Sequence, residues 1–498
     1  MMKKLFGKKE INMASDAKVG WGEHLAYGVG NAANDVSGTM IGNYILIYYT
    51  MVLGMDVLLA TSVLAASRMM DGLSDLIMGR IIDRTQTKIG KAKPWYFRFI
   101  LPMVISMLLV FNVPHSIGRA GQVIYMFLTY NLVTTICGTA LGISFTSLNG
   151  LMTTNQISRG RNGVVARIFS LVTGIFASNT IFRFARFFGG GDEYSQKGWS
   201  MAMIVYAVVF VCLTLIHHFF THERVNQVRN ENEITDKTLR SVTGEKISAG
   251  KSLLSLIKNK FWVTTLVVCV FIAILLTINT TMAVYFSQYI MNDLDAQGII
   301  VSLISLTAIP GTLISLPLMT RLGKRNVMLV GLGINLIGCL LPVFSMNTMV
   351  IYIGSIIKGL GYGITAGPTG SIIQDTLTYG EWKNGFSNMG MGNAANSFAM
   401  KASGSLGTII VGFMLSISGF VEQSLVQSQQ TLNMISFGYI WMPALMAITC
   451  IIIMLFYTLD KIYPQIEADL KEGKYAPGVQ KEAAVIADEE KGDKHYEN

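Results

Sequence analysis

The chain has 498 residues, of which 51% are hydrophobic and only 14% charged, against roughly 25% charged in a soluble domain. A large aqueous surface is thereby excluded. The net charge of +9 does not mark a nucleic-acid partner, because the lysines and arginines lie in short segments between apolar runs and not on one soluble face.

In chain order, the N-terminus carries Lys3, Lys4, Lys8 and Lys9, but no apolar region with a cleavage site precedes the first long run, so no signal peptide is expected. Runs able to cross a hydrocarbon core of about 30 Å follow near 22–52, 57–82, 95–113, 120–150, 160–187, 197–221, 259–292, 296–320, 325–345, 348–378, 386–418 and 433–459. They predict an all-α membrane protein. Residues 1–21 form a cytoplasmic N-terminus, 22–221 a first six-helix bundle, 222–258 a cytoplasmic linker, 259–459 a second six-helix bundle and 460–498 a cytoplasmic tail.

Ionisable groups inside a span cost about 2.5–3.5 kcal/mol each, so they persist where they face a cavity or a partner. On span one, Tyr27, Asn31, Asp35 and Gly38 form a stripe that can face the interior; Asp35 can equally pack against a basic group such as Arg68 or Arg167. On span two, Arg68, Asp71, Asp75 and Gly79 share one face. Two carboxylates four residues apart can supply oxygens to one hard cation, Na⁺ included, or share a proton. The alternative is a structural Arg68–Asp71 pair. Span five carries Arg167 with Ser170 and Gly174, either facing a substrate or clamping two helices.

Span ten holds Tyr362, Gly363, Gly367, Pro368 and Gly370 before Asp375, a density that predicts a broken or pliable helix lining a cavity. Span eleven aligns Asn393, Ser397, Lys401, Ser405 and Thr408 on one face. Lys401 near mid-membrane needs an anion, and Asp71 or Asp75 across the half-to-half interface is the candidate. A cation and Lys401 would then compete for one carboxylate, a coupling device; the alternative is a fixed buried pair. Tyr27, Tyr48, Tyr130 and Phe145 could stack on a flat ring ligand, but at 10% of the chain aromatic residues are too abundant to single out. Trp95, Trp199, Trp262 and Trp382 read as interfacial anchors, and Cys137, Cys212, Cys269, Cys339 and Cys450 as buried thiols.

Arg80, Arg84, Lys88, Lys91 and Lys93 follow span two, Arg159 and Arg161 span four, and Arg321, Lys324 and Arg325 span eight. The alternate loops are nearly free of basic residues apart from Arg183, Arg186 and Lys197. The positive-inside rule then puts both termini in the cytoplasm of a multi-pass protein of the inner (plasma) membrane. The loop with Gly79, Asp83, Arg84, Gly90 and Lys91 is echoed by Thr320, Arg321, Gly323, Lys324 and Arg325. Two such halves describe the major facilitator fold.

No phosphate loop is formed, since Gly244 stands one position too early before Gly250, Lys251 and Ser252, and no HExxH, GxSxG or paired Cys and His constellation occurs. An enzyme is not expected. A channel or receptor is the rival class, but neither accounts for the repeated basic loops or for carboxylates facing a lone lysine.

The chain resembles the glycoside–pentoside–hexuronide:cation symporter family. The resemblance runs from Tyr27, Gly28, Gly30 and Asp35 through Asp71, Ser74, Asp75, Gly79, Asp83, Arg84 and Thr85 to Lys91, Lys93, Pro94 and Trp95, then Arg167, Asp375, Tyr379 to Lys383, and Lys401. It implies an alternating-access symporter importing a glycoside, pentoside or hexuronide with H⁺ or Na⁺, without another cofactor. Asp71, Asp75 and Thr139 would bind the cation, Asp35 and Arg167 with Tyr27 and Asn31 the substrate, and Arg68, Lys401 and Asp375 would form the charge network. Where the family's melibiose-type pattern has an Asp and two Trp, this chain has Gly142, Thr146 and Ala366. That departure favours glucuronide-like or xyloside-like ligands over galactosides and, by removing an oxygen, favours H⁺ somewhat. A lysolipid carrier of the same fold is the alternative. Partners are expected to be the small-molecule substrate and membrane lipids, with no nucleic acid and a monomeric chain.

Overall fold

A computed structural model describes residues 18–224 and 249–477, apart from positions 86, 88, 154, 387 and 473 and the side chains at 68, 69, 71–73, 76, 80, 83, 156, 157, 390 and 471. Among the described residues there is no strand. The long helices are α1 (21–52), α2 (Val57–Arg84), α3 (93–110), α4 (His115–Met152), α5 (Gln156–Phe188), α6 (Gln196–Phe220), α7 (Lys260–Tyr289), α8 (Ala296–Leu322), α9 (Lys324–Phe344), α10 (Thr348–Asn384), α11 (Met389–Ile417) and α12 (Gln429–Leu455). α4 to α12 are long and apolar enough to cross a membrane. In α1, α2 and α3 a polar stripe or an irregular turn interrupts the apolar run.

Local chemistry sets the helix ends. Asp56, Asn155, Asn259, Asn347 and Ser428 each accept a first-turn backbone N–H of α2, α5, α7, α10 and α12. Gly323, Gly385 and Gly419 follow α8, α10 and α11 at positive φ, where other residues are strained. The start of α3 is held by a carboxylate from further along the chain. Glu223, just after α6, accepts the N–H groups of Lys91, Ala92 and Lys93 at 2.7, 2.9 and 2.8 Å. In the other half Asp460, just after α12, accepts the N–H of Arg325 at the start of α9 at 2.8 Å. An acid after the sixth helix of each half therefore holds the N-terminus of the third, where the helix dipole favours negative charge.

α10 departs from the expected broken helix: it runs unbroken for 37 residues through Pro368. Its glycines serve close packing instead. A methyl at Gly363 would stand 2.9 Å from Ala308 Cα of α8, and one at Gly361 would stand 2.6 Å from the Gly331 carbonyl of α9. Between helices in lipid, where tails are as apolar as leucine, such backbone approach replaces the hydrophobic driving force. The irregular turns lie elsewhere, as π-helical segments at Met40–Tyr44 and Tyr48–Val52 of α1, Leu132–Gly138 of α4 and Phe437–Trp441 of α12.

Two other expectations are corrected. Trp199 and Trp262 are no interfacial anchors: Trp199 is fully buried, stacked near Phe111, with its indole N–H donating to the Glu193 carbonyl at 2.8 Å, and Trp262 is buried in a small core with Leu256 and Leu377. A span-end position did not reveal that α6 begins under the loop that covers it. Cys212 is exposed on α6, while Cys137, Cys269, Cys339 and Cys450 are buried.

Candidate functional site

A cavity of about 440 Å³ lies between the halves at mid-span. α1 contributes Asn34, Ser37, Gly38 and Gly42; α2 contributes Asp75; α4 contributes Thr134, Thr139, Gly142 and Thr146; α11 contributes Ser397 and Lys401. The π-helical turn of α4 ends directly before Thr139. Such turns shift the facing of the residues that follow and recur at functional sites.

At the wall of this cavity Lys401 Nζ donates to Asp75 Oδ2 across the two halves. Thr139 donates to the other carboxylate oxygen at 3.2 Å and is itself 3.0 Å from the Ser74 hydroxyl. The Asp75 carboxylate is thus shared between a hydroxyl of its own half and an ammonium of the other. The Asp71 and Arg68 side chains lie outside the described residues.

Beside it, Asn31, Asp35 and Arg167 come together between α1 and α5. Asn31 donates to Asp35 at 2.9 Å and to the Ala166 carbonyl at 3.1 Å. The Ser170 hydroxyl also hydrogen-bonds Asp35, and the Arg167 charge acts on it. Arg167 is exposed. Asp35 is one residue on from the cavity-lining Asn34, about 100° round the helix.

Two expected site residues are placed apart. Tyr27 is buried, stacked on Phe145 with ring centroids 4.3 Å apart, and its hydroxyl donates to the Phe145 carbonyl at 3.3 Å. In this conformation it packs α1 on α4. Among the described residues Asp375 shares no partner with Lys401; it accepts from Lys324 at 2.5 Å where α10 passes the α8–α9 turn. Tyr48 and Tyr130 are likewise fully buried.

Sequence reasoning missed Asn34 and Thr134 on the cavity, which carry no charge to flag them. It also missed Lys358, a buried lysine on α10 whose ammonium lies 3.3 Å from Asn279 Oδ1, 3.4 Å from the Tyr439 carbonyl and 4.0 Å from the Tyr439 ring centre. A lone lysine in an apolar span was the available signal. The π-helical turn of α12 contains Tyr439, and a loosened hydrogen-bond register there leaves its carbonyl for the ammonium.

Contacts between the halves gather on the side away from the basic loops. Arg186 pairs with Asp295 at 3.2 Å, Gln297 donates to Tyr44 at 2.9 Å, and Asn179 donates to Ser302 at 2.5 Å. Val57 N–H reaches Glu422 at 3.0 Å, and Gln423 donates to the Val52 carbonyl at 3.0 Å. Toward the basic loops Arg167, Gln374, Asn393 and Ser397 are exposed. The cavity is sealed on one side of the molecule and approached from the other.

Two helical halves closed at one end around a central cavity are the architecture of the major facilitator fold, and with the family match the chain is a multi-pass membrane transporter and not an enzyme. The chain belongs to the family described as MFS/sugar transport protein, which matches residues 26–461. It is 29% identical over 457 residues to the isoprimeverose transporter of Lactiplantibacillus pentosus, covering 91% of this chain and 92% of that protein. It is 26% identical over 476 residues to the glucuronide carrier protein homolog of Escherichia coli (strain K12), covering 92% and 97%. The crystal structure of a D-xylose-proton symporter superposes with a TM-score of 0.62 at 11% identity, over 89% of this chain and 99% of that one, a likeness of fold.

Proposed function

We propose that this chain is a secondary active symporter that carries a glycoside, pentoside or hexuronide into the cytoplasm with H⁺ or Na⁺. Asp75, Thr139 and Asp71 would bind the coupling ion, and Asn31, Asp35 and Arg167 the substrate. The observation that carries this reading is the Lys401–Asp75 pair across the halves at the cavity wall. An arriving cation must displace the ammonium from the carboxylate, so ion loading breaks a contact between halves and biases their rocking. A permanent pair would give no such link.

The relatives named for isoprimeverose and for glucuronide support a pentoside or sugar-acid ligand, and Arg167 supplies the charge a carboxylate needs. With the basic loops in the cytoplasm of a plasma membrane, the conformation is inward-facing. The test is thermal stabilisation of the purified protein by glucuronides, xylosides, galactosides and a lysolipid, each with and without Na⁺. Stabilisation by a glucuronide or xyloside supports the reading; stabilisation by the lysolipid alone overturns it.

A further inference from the structure

The segment leading into α7 is built as an amphipathic element of its own. The short helix Ala249–Ile257 buries Ser252 and Leu256, at 1% and 2% exposure, and turns Leu253, Leu254 and Ile257 outward at 44%, 50% and 57%. Leu256 joins a small core with Trp262 of α7 and Leu377 of α10, against which Met391 of α11 packs. Lys251, Lys258 and Lys260 are exposed, and residues 249–260 contain no acid.

The buried face grips one residue in particular. Ser252 donates to Asn388 Oδ1 at 2.6 Å, and Asn388 Nδ2 donates back to the Ser252 carbonyl at 3.4 Å and to the Ser255 hydroxyl. Asn388 immediately precedes α11, and its carbonyl accepts the N–H of Gly392 in the first turn at 2.8 Å. α11 carries Lys401. Whatever holds the short helix therefore also holds the basic-side end of the helix whose lysine reaches Asp75.

We propose that residues 249–260 form a docking site for the anionic lipid headgroup surface of the basic-loop leaflet, and that through Asn388 this docking fixes the end of α11. The depth is set by α7, since Asn259 caps that span two residues after the short helix ends. The outward leucines therefore sit at the level of the acyl–headgroup boundary, and the lysines at the level of the phosphates. An apolar face rimmed by lysines is the pattern of a helix lying in a negatively charged interface. Each lysine near such a surface adds about a fivefold factor in attraction. Membrane lipid as a general partner is expected of any such protein; a charge-selective site coupled to α11 is a separate property, independent of which substrate is carried.

The test is hydrogen–deuterium exchange of the full chain in nanodiscs of phosphatidylcholine alone or with about 30 mol% phosphatidylglycerol, a charge density that gives the leaflet a substantial negative potential. Exchange in both 249–260 and 388–396 is expected to slow several-fold in the anionic discs, and the effect to weaken with added salt. The triple variant K251Q/K258Q/K260Q, whose side chains are exposed and whose melting temperature is measured alongside to exclude a fold defect, loses the response in both segments. Asn388→Ala, which removes all three side-chain bonds to the short helix, keeps the response in 249–260 and loses it in 388–396. Equal exchange in neutral and anionic discs, a response that survives in the triple variant, or protection that appears only on adding a cytosolic protein overturns the proposal.

Discussion

Asp75 is held by two donors of different kinds, and the difference assigns them different fates. In the proposed ion site the Thr139 hydroxyl, at 3.2 Å and in the same half, would remain as an oxygen ligand, whereas the Lys401 ammonium would have to leave before a cation could take its place. Asp75→Asn removes the charge that both the ion and the lysine seek. Gradient-driven uptake is expected to be abolished while counterflow of unlabelled against labelled sugar persists. Cation-driven accumulation by that variant would refute the ion-site assignment. For Arg167→Ala, loss of a charge-assisted contact worth about 1.5–3 kcal/mol corresponds to a roughly tenfold to hundredfold weaker Kd for an anionic sugar, read by titration calorimetry. A neutral glycoside should lose less, and equal binding by the variant would leave Arg167 a purely structural role between α1 and α5.

At the scale of elements, α10 shows how one composition serves either pliability or tight packing. Gly363 faces Ala308 so closely that any side chain must push the backbones of α8 and α10 apart, and overpacking of this kind costs about 1–3 kcal/mol. Gly363→Val is expected to lower the melting temperature in detergent by several degrees, while Gly333→Ala, where a methyl meets open space and helix propensity favours alanine, does not lower it. Similar melting of the two would deny the packing role. The helices themselves were legible in the sequence because each needs only a long apolar run, and the run positions lie within a few residues of the ends observed. The Asp75–Lys401 meeting was legible because charges in a span must find partners. The π-helical turns, the burial of Trp199 and the glycine seam of α10 were not, since these depend on which neighbour a face meets. The internal repeat was visible only as basic loops; its acidic counterpart, Glu223 and Asp460, lies far along the chain from the helices it caps.

For the whole molecule, the seam away from the basic loops is what must part if the cavity is to open to the other side. It consists of polar contacts, with Arg186 bridging Glu193 of its own half and Asp295 of the other. Arg186, an exception to the basic-loop pattern, is thereby engaged in closure. The pair is partly exposed, so its direct contribution stays below about 1 kcal/mol, but a balance between two conformations is sensitive to increments of that size. Arg186→Gln should therefore raise the population open on that side by no more than about fivefold. A cysteine placed at Thr134, on the cavity wall, reports this through its labelling by an impermeant maleimide in right-side-out cells. Faster labelling in the Arg186→Gln background, whether sugar and cation are present or withheld, is the expected result, because the seam acts on the free carrier as well. Unchanged labelling would place the closing energy in the neighbouring contacts of Tyr44 with Gln297 and Asn179 with Ser302, and the same measurement on Gln297→Ala would then show the increase.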